Sequence, residues 1–315
     1  MDIFSKITNI DFMGKRRLSA AFSAVLMIGS LILIIPGVRG LNFGIDFTGG
    51  VLLELAYPGP AALPDIRERL AGSGFGDAQV QNFGTASDVM IRILPREGID
   101  NKTVSEQIIA VLKAGDPAVQ LRRTEFVGPQ VGEELTEQGA LAILFAMLMI
   151  TAYIMLRYQW KFALGAILAT LHDPIVTLGF FALTGITFDL SVLAAMLAII
   201  GYSVNDTIVV FDRIRENFRK IRRGEPEAVM NISINETLSR TIMTSFLTML
   251  MVIAMLFVGG ETLRGFSAAL TVGIVIGTYS SIFVASALAL ALKATAADLM
   301  PPKQEKGEGE ADSTP

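Results

Sequence analysis

The sequence predicts an α-helical polytopic membrane protein with six transmembrane helices and a small α+β domain, ferredoxin-like in its βαββαβ order, between helices 1 and 2. Hydrophobic residues make up 52% of the 315, and the mean hydropathy is positive, a composition that points away from an ordinary soluble domain. Six uncharged or nearly uncharged stretches, near 18–36, 138–156, 162–183, 188–211, 240–258 and 266–292, are long enough to span roughly 30 Å of hydrocarbon at ~1.5 Å per residue. The segment between the first two carries strand and short-helix periodicities instead.

Residues 1–17 form an N-terminal segment in which Ile3, Phe4, Ile7 and Ile10 have helical spacing suited to a membrane interface. The first span follows Lys15, Arg16 and Arg17 as a signal peptide would, but its uncharged run is longer than a usual h-region and ends without a small-residue cleavage site, so it reads as a retained helix.

Within 37–137, Val51 to Tyr57, Ala78 to Phe83, Val89 to Leu94 and Val119 to Val127 read as strands. Ile66 and Leu70 mark a helix over 64–71, and Val104, Ile108, Val111 and Leu112 mark another over 104–112. The order is that of a split βαβ fold. Residues 138–293 hold helices 2–6 with a basic loop at 212–239, in which Ile214, Phe218 and Ile221 are spaced for an interfacial helix. The polar tail, 294–315, is rich in Pro, Gly and Glu and predicts disorder.

Orientation follows from the short loops, because Lys and Arg collect on the cytoplasmic side. Lys6, Lys15, Arg16 and Arg17 precede helix 1; Arg157 and Lys161 join helices 2 and 3; six basic residues from Arg213 to Arg223 lie between helices 4 and 5. Both termini are thus expected to be cytoplasmic and 37–137 outside. The net charge of −4 carries no basic pattern that would argue for nucleic acid.

The absence of cysteine excludes disulfides and thiolate metal sites. The single histidine, His172, falls near mid-bilayer rather than beside an exposed nucleophile, and no Walker-type glycine pattern precedes a lysine. No enzyme activity, ATPase motif or cofactor is expected. A single set of six helices without an internal repeat looks like one half of a two-half transporter, so a partner half is expected.

Asp206 is the only charged residue from 190 to 211. Ionising a carboxylate in hydrocarbon costs several kcal/mol, so it must face protein or water, and it is the first functional candidate. A buried structural role is the alternative. His172 and Asp173, beside Pro174, and Asn205 fit either a second-rank relay or a structural role, in which polar groups near the proline satisfy the carbonyl that it frees. Asp189 fits an N-cap. In helix 6, Gly273, Gly277, Ser281, Ala285 and Ala289 make a small-residue stripe suited to close packing within the chain or against a partner.

Gly44-Ile45-Asp46-Phe47-Thr48-Gly49-Gly50 is a glycine-rich turn leading into a strand, more often a required backbone geometry than a ligand site. Joined to Val127-Gly128-Pro129-Gln130-Val131-Gly132, to His172-Asp173-Pro174 and to the run from Gly201 through Asn205-Asp206 to Asn217, it closely resembles the SecF side of the SecD/SecF family of protein-export membrane proteins. The resemblance covers about 9–293. It implies half of a resistance-nodulation-division-like transporter, paired with SecD beside the SecYEG channel, with YajC and YidC as further partners. It also implies that the proton motive force is used to draw unfolded polypeptide across the membrane after the ATP-driven step of SecA. Protons are then the coupling ion, and the family's functional Asp and Arg fall on Asp206 and Arg240.

The physics accords with that assignment. Burial disfavours a charged carboxylate and a nearby guanidinium favours it, so a small movement of Arg240 switches Asp206 between holding and releasing a proton. Each proton moved inward is worth ~2.3 kcal/mol per 100 mV. Simple interfacial anchoring is the plainer role for Arg240. A proton-coupled exporter of lipids or small molecules, which predicts a large apolar pocket in the outer domain, and a non-transporting scaffold are the alternative functions.

Overall fold

The structure is a computed structural model that describes residues 8–96, 99–221 and 224–294. The expected interfacial residues Ile3, Phe4 and Ile7, together with the tail after 294, lie outside the described residues. Ile10 lies in an irregular segment instead of a helix. Asn231 and Asn235 hold that segment, their side-chain oxygens accepting from the backbone N–H groups of Phe12, Met13 and Ile10 at 2.9 Å.

The first helix, α1 (Arg16–Ile34), stops before Ile35-Pro36. Ile35 is extended, as the proline ring after it requires. A short helix, α2 (Ile45–Thr48), then leads into β1 (Gly50–Ala56), α3 (Leu63–Gly72), β2 (Gln79–Phe83), β3 (Thr85–Ile93), α4 (Asn101–Gly115) and β4 (Gln120–Val127). The βαββαβ reading holds. The sheet order is β2-β3-β1-β4, every pair antiparallel, as in ferredoxin-like folds.

Alternation places Val51, Leu53 and Leu55 of β1 on one face, opposite Ile93, Ile91 and Val89 of β3. That face is covered by Ile66 and Leu70 of α3 and Val104, Ile108 and Leu112 of α4. Each fully buried aliphatic side chain contributes ~1.5–3 kcal/mol. The other face, with Leu52, Glu54, Met90 and Arg92, looks across a cleft of about 350 Å³ toward the 184–189 connection and the helical turn at 261–265.

The remaining helices are α5 (Pro129–Arg157), α6 (Trp160–Thr184), α7 (Leu190–Lys220), α8 (Pro226–Val258) and α9 (Gly260–Ser280), which runs through a π turn (Ser281–Ala285) into α10 (Ser286–Ala291). Together with α1, these give six helices long and apolar enough to cross a membrane among the described residues. The chain is a multi-pass membrane protein.

Two boundaries differ from the sequence reading. Helix 2 begins at Pro129 rather than 138, because proline at the first helical position starts α5 and the helix continues through Glu133, Glu134 and Glu137. The loop expected at 212–239 is mostly helix: α7 extends to Lys220 and α8 starts at Pro226. Polar pairs hold these ends together, with Glu236 accepting from Arg213 and from Asn217, both at 2.6 Å, and Glu216 pairing with Lys220 at 2.7 Å.

The most apolar windows of α6 and α7 are 56% and 50% buried, against 17%, 11% and 11% for α1, α5 and α8, so the last three present most of their surface outward. The small-residue stripe packs within the chain. A Cβ on Gly273 would come within 2.3 Å of Ile199, one on Gly277 within 3.2 Å of Ser203, and one on Gly165 of α6 within 2.8 Å of the Ala285 carbonyl.

Candidate functional site

The long helix α7 carries Asp206 into the interior. Its side chain is buried, and Oδ2 has no hydrogen-bond partner among the described residues. Six residues further on, ~9 Å along the helix, Asp212 accepts from Arg157 at 2.5 Å and from Tyr158 at 2.8 Å. Asp206 therefore lies beneath a layer of paired charges rather than within it. Asn205, the next residue toward the N-terminus, is exposed on the outside of the bundle and does not join the site.

Arg240 is exposed and forms no ion pair within 4.0 Å among the described residues. Its charge is the one that bears on Asp206 electrostatically. Glu236, one turn away on α8, is already committed to Arg213 and Asn217. The expected position of Arg240 at the head of helix 5 is corrected: α8 starts at Pro226, which places Arg240 fourteen residues, ~21 Å, into it.

His172 and Asp173 do come together. The Asp173 carboxylate is fully buried. Oδ1 lies 2.9 Å from His172 Nδ1, and Oδ2 accepts from Ser203 of α7 and, at 2.8 Å, from Ser280 of α9. One carboxylate thus joins the three innermost helices. The polar contacts of His172 and Asp173 run to one another and to the two serines, so the pair ties helices together at the level of the Pro174 break. Gly277 packs beside this group: a Cβ there would lie 3.2 Å from Ser203 Cβ and in ordinary contact with Asp173 Oδ2 at 3.5 Å. Ser203 precedes Asp206 by three residues on α7, one turn away on nearly the same face, and so lies between the two carboxylates along the helix.

The glycine turn supplies the link from helices to sheet. Gly49 and Gly50 have φ of +68° and +118°, a region that favours glycine. A Cβ on Gly50 would sit 2.1 Å from the Ile93 carbonyl, and one on Gly132 of α5 would sit 2.9 Å from the Gly49 nitrogen. Gly44 donates its N–H to the Phe188 carbonyl at 2.8 Å. Asp46 reaches α7 itself, accepting from the Leu190 N–H at 3.0 Å, while Asp189 caps the same helix by accepting from Val192 at 2.9 Å. Buried Arg92 of β3 donates to the Phe43 carbonyl and to Asn42 and Gln79, and burial holds its pKa below the usual arginine value.

Sequence reasoning identified Asp206, Asp173 and the glycine turn but missed Ser203, Ser280 and the capping role of Asp46. Serines in an apolar helix carry no one-dimensional signal of what they face.

Comparison with known proteins decides the family. The model of the SecD/SecF protein export membrane protein C-terminal region matches residues 107–295, and that of the SecD/SecF GG motif matches 34–57, across the glycine turn. The chain belongs to the SecD/SecF family. Protein translocase subunit SecF of Vibrio alginolyticus is 50% identical over 97% of this chain and 97% of its own length, and that of Pseudomonas aeruginosa is 49% identical over 95% and 96%. SecDF of Thermus thermophilus, described as a translocon-associated membrane protein, superposes with a TM-score of 0.83 at 36% identity, over 93% of this chain. The chain spans about 40% of that protein's length. SecDF in a super-membrane-facing form has a TM-score of 0.67 at 37% identity.

Proposed function

We propose that this chain is the SecF half of a two-half machine in the bacterial inner membrane, with both termini cytoplasmic and the sheet domain periplasmic. Paired with SecD beside SecYEG, it uses the proton motive force to promote movement of unfolded polypeptide after the ATP-driven step of SecA. YajC and YidC are further candidates for the same assembly. The coarse part of this reading rests on the SecF relatives; the coupling rests on one observation, the buried and unpartnered Asp206 carboxylate on α7.

In this proposal protonation neutralises Asp206, and Arg240 answers the change in charge. A partner half covers the exposed side of α8 and supplies the acceptor that Arg240 lacks, since an unpaired guanidinium facing hydrocarbon is costly. Asp173 and Ser203 form the inner branch of the relay. Movement of α7 then reaches its own N-terminus, sixteen residues and ~24 Å away, where Asp46 ties it to the glycine turn and so to β1 and α5. The exporter alternative is less well supported: the cleft at the sheet domain sets Glu54, Arg92, Arg123 and Glu125 among Leu52, Phe83 and Met90, a mixed lining rather than the predominantly apolar one that such ligands require.

The test is replacement of the native gene in cells by the Asp206→Asn variant. The reading expects normal accumulation, co-purification with SecD and an export defect like that of the deletion. Full export would sink it.

A further inference from the structure

We propose that the groove between α1 and α10 holds a phospholipid with an anionic headgroup, its phosphate at Arg17 and one acyl chain running along the helices. The groove has a volume of about 330 Å³ and is lined by Arg16, Arg17, Ala20, Ser23 and, across from them, Phe283, Val284, Ala287, Leu288 and Ala291. The facing positions are small, with Ala20 and Ser23 on α1 and Ala287 and Ala291 on the other wall. Apart from Ser23 the lining beyond the arginines is apolar, and Ser23 is engaged with the Tyr279 hydroxyl at 3.0 Å. It therefore suits a hydrocarbon chain.

Charge selects the headgroup. The arginines lie at one end of the groove, beside Ala291, where α1 begins. The first turn of α1 contains no acidic residue, and no side chain caps it. Arg16 is engaged by Glu227 at 2.7 Å and by the Met13 carbonyl at 2.8 Å. Arg17 is exposed and makes no ion pair among the described residues. A phosphate-bearing, net-negative headgroup complements this end, and a membrane supplies it in unlimited amount. Basic pockets between transmembrane helices bind such headgroups, with ~1 kcal/mol for each Lys or Arg at the membrane surface.

The experiment uses the full-length chain, purified in mild detergent, exposed to equal amounts of phosphatidylglycerol and phosphatidylethanolamine, and washed; retained lipid is counted by mass spectrometry. The wild type is expected to retain phosphatidylglycerol in excess. Arg17→Gln should cut that excess about five-fold, and Ala287→Phe, which fills the groove, should remove retained lipid of both kinds. Circular dichroism of both variants matching the wild type ties the losses to the site. Equal retention of the two lipids by the wild type, or unchanged retention by both variants, overturns the proposal.

Discussion

Asp206 and Arg240 lie at the same level of a helical hairpin, one inside and one outside. Asp206 is fourteen residues before the end of α7 at Lys220, and Arg240 is fourteen after the start of α8 at Pro226, so each stands ~21 Å from the link that joins the helices. Among the described residues, the carboxylate is buried without a hydrogen-bond partner on Oδ2 and the guanidinium is exposed without an ion pair. Two opposite charges at one level, unpaired, are arranged to interact conditionally.

Arg240→Lys is expected to reduce proton-dependent export about ten-fold, the scale of one hydrogen bond to a charged group at ~1.5 kcal/mol. A point charge remains, but the planar fork is lost. Export assays at matched protein levels check this, and equal activity of the Lys variant reduces Arg240 to an anchor.

Asp173→Ala strands His172 and Ser203 in the interior, at a cost of ~1–3 kcal/mol for each donor left unpaired, while Ser280 keeps the Gly277 carbonyl as an acceptor at 3.1 Å. The variant is expected to accumulate poorly and to melt at a lower temperature in detergent. Asp173→Asn keeps an acceptor and should accumulate normally. Thermal unfolding of the two purified variants separates these outcomes.

Asp46→Ala removes the carboxylate that caps Leu190 and is expected to destabilise the α7 terminus by ~1 kcal/mol, the usual value of a lost cap. Because Asp46 is also the tie between α7 and the glycine turn, export should fall while SecD co-purification is unchanged. Gly50→Ala is the harsher change. Its positive φ and the Ile93 carbonyl in the path of a Cβ predict ~1–3 kcal/mol of backbone strain, visible as faster protease nicking of the sheet domain.

Burial raises the pKa of Glu54, on the open face of β1, above its ordinary 4.5, with the Arg123 guanidinium opposing the shift. A folded-state value above the unfolded one means that this group's contribution to stability is fully present below pH 4.5 and is lost as pH rises through the folded value. Glu54→Gln is thus expected to raise the melting temperature of the sheet domain at pH 7, with the advantage gone near pH 4. Differential scanning of the intact protein at the two pH values reads this.

The βαββαβ domain was legible because strict alternation and i, i+4 spacing each admit one secondary structure, as Leu53 and Ile91, or Ile66 and Leu70, show. Helix ends were not: Glu133 to Glu137 and Arg213 to Lys220 break the apolar pattern while continuing a helix, the first group because its carboxylates are exposed and the second because pairs such as Arg213–Glu236 satisfy its charges. At the site, Asp206 and Asp173 were legible because charge at membrane depth is conspicuous. Ser203, Ser280 and the Asp46 cap depend on which helices meet. No spacing within one helix encodes that, and the outward aspect of Arg240 was hidden for the same reason.

The central claim, that Asp206 couples proton flow to polypeptide movement, is tested most directly in inverted membrane vesicles. Export of a model precursor is followed after the SecA ATP step is complete, with and without a proton motive force, for wild type and Asp206→Asn. Loss of the proton-dependent phase alone, with the ATP-driven phase intact, is the result the account predicts. An undiminished proton-dependent phase in Asp206→Asn contradicts it.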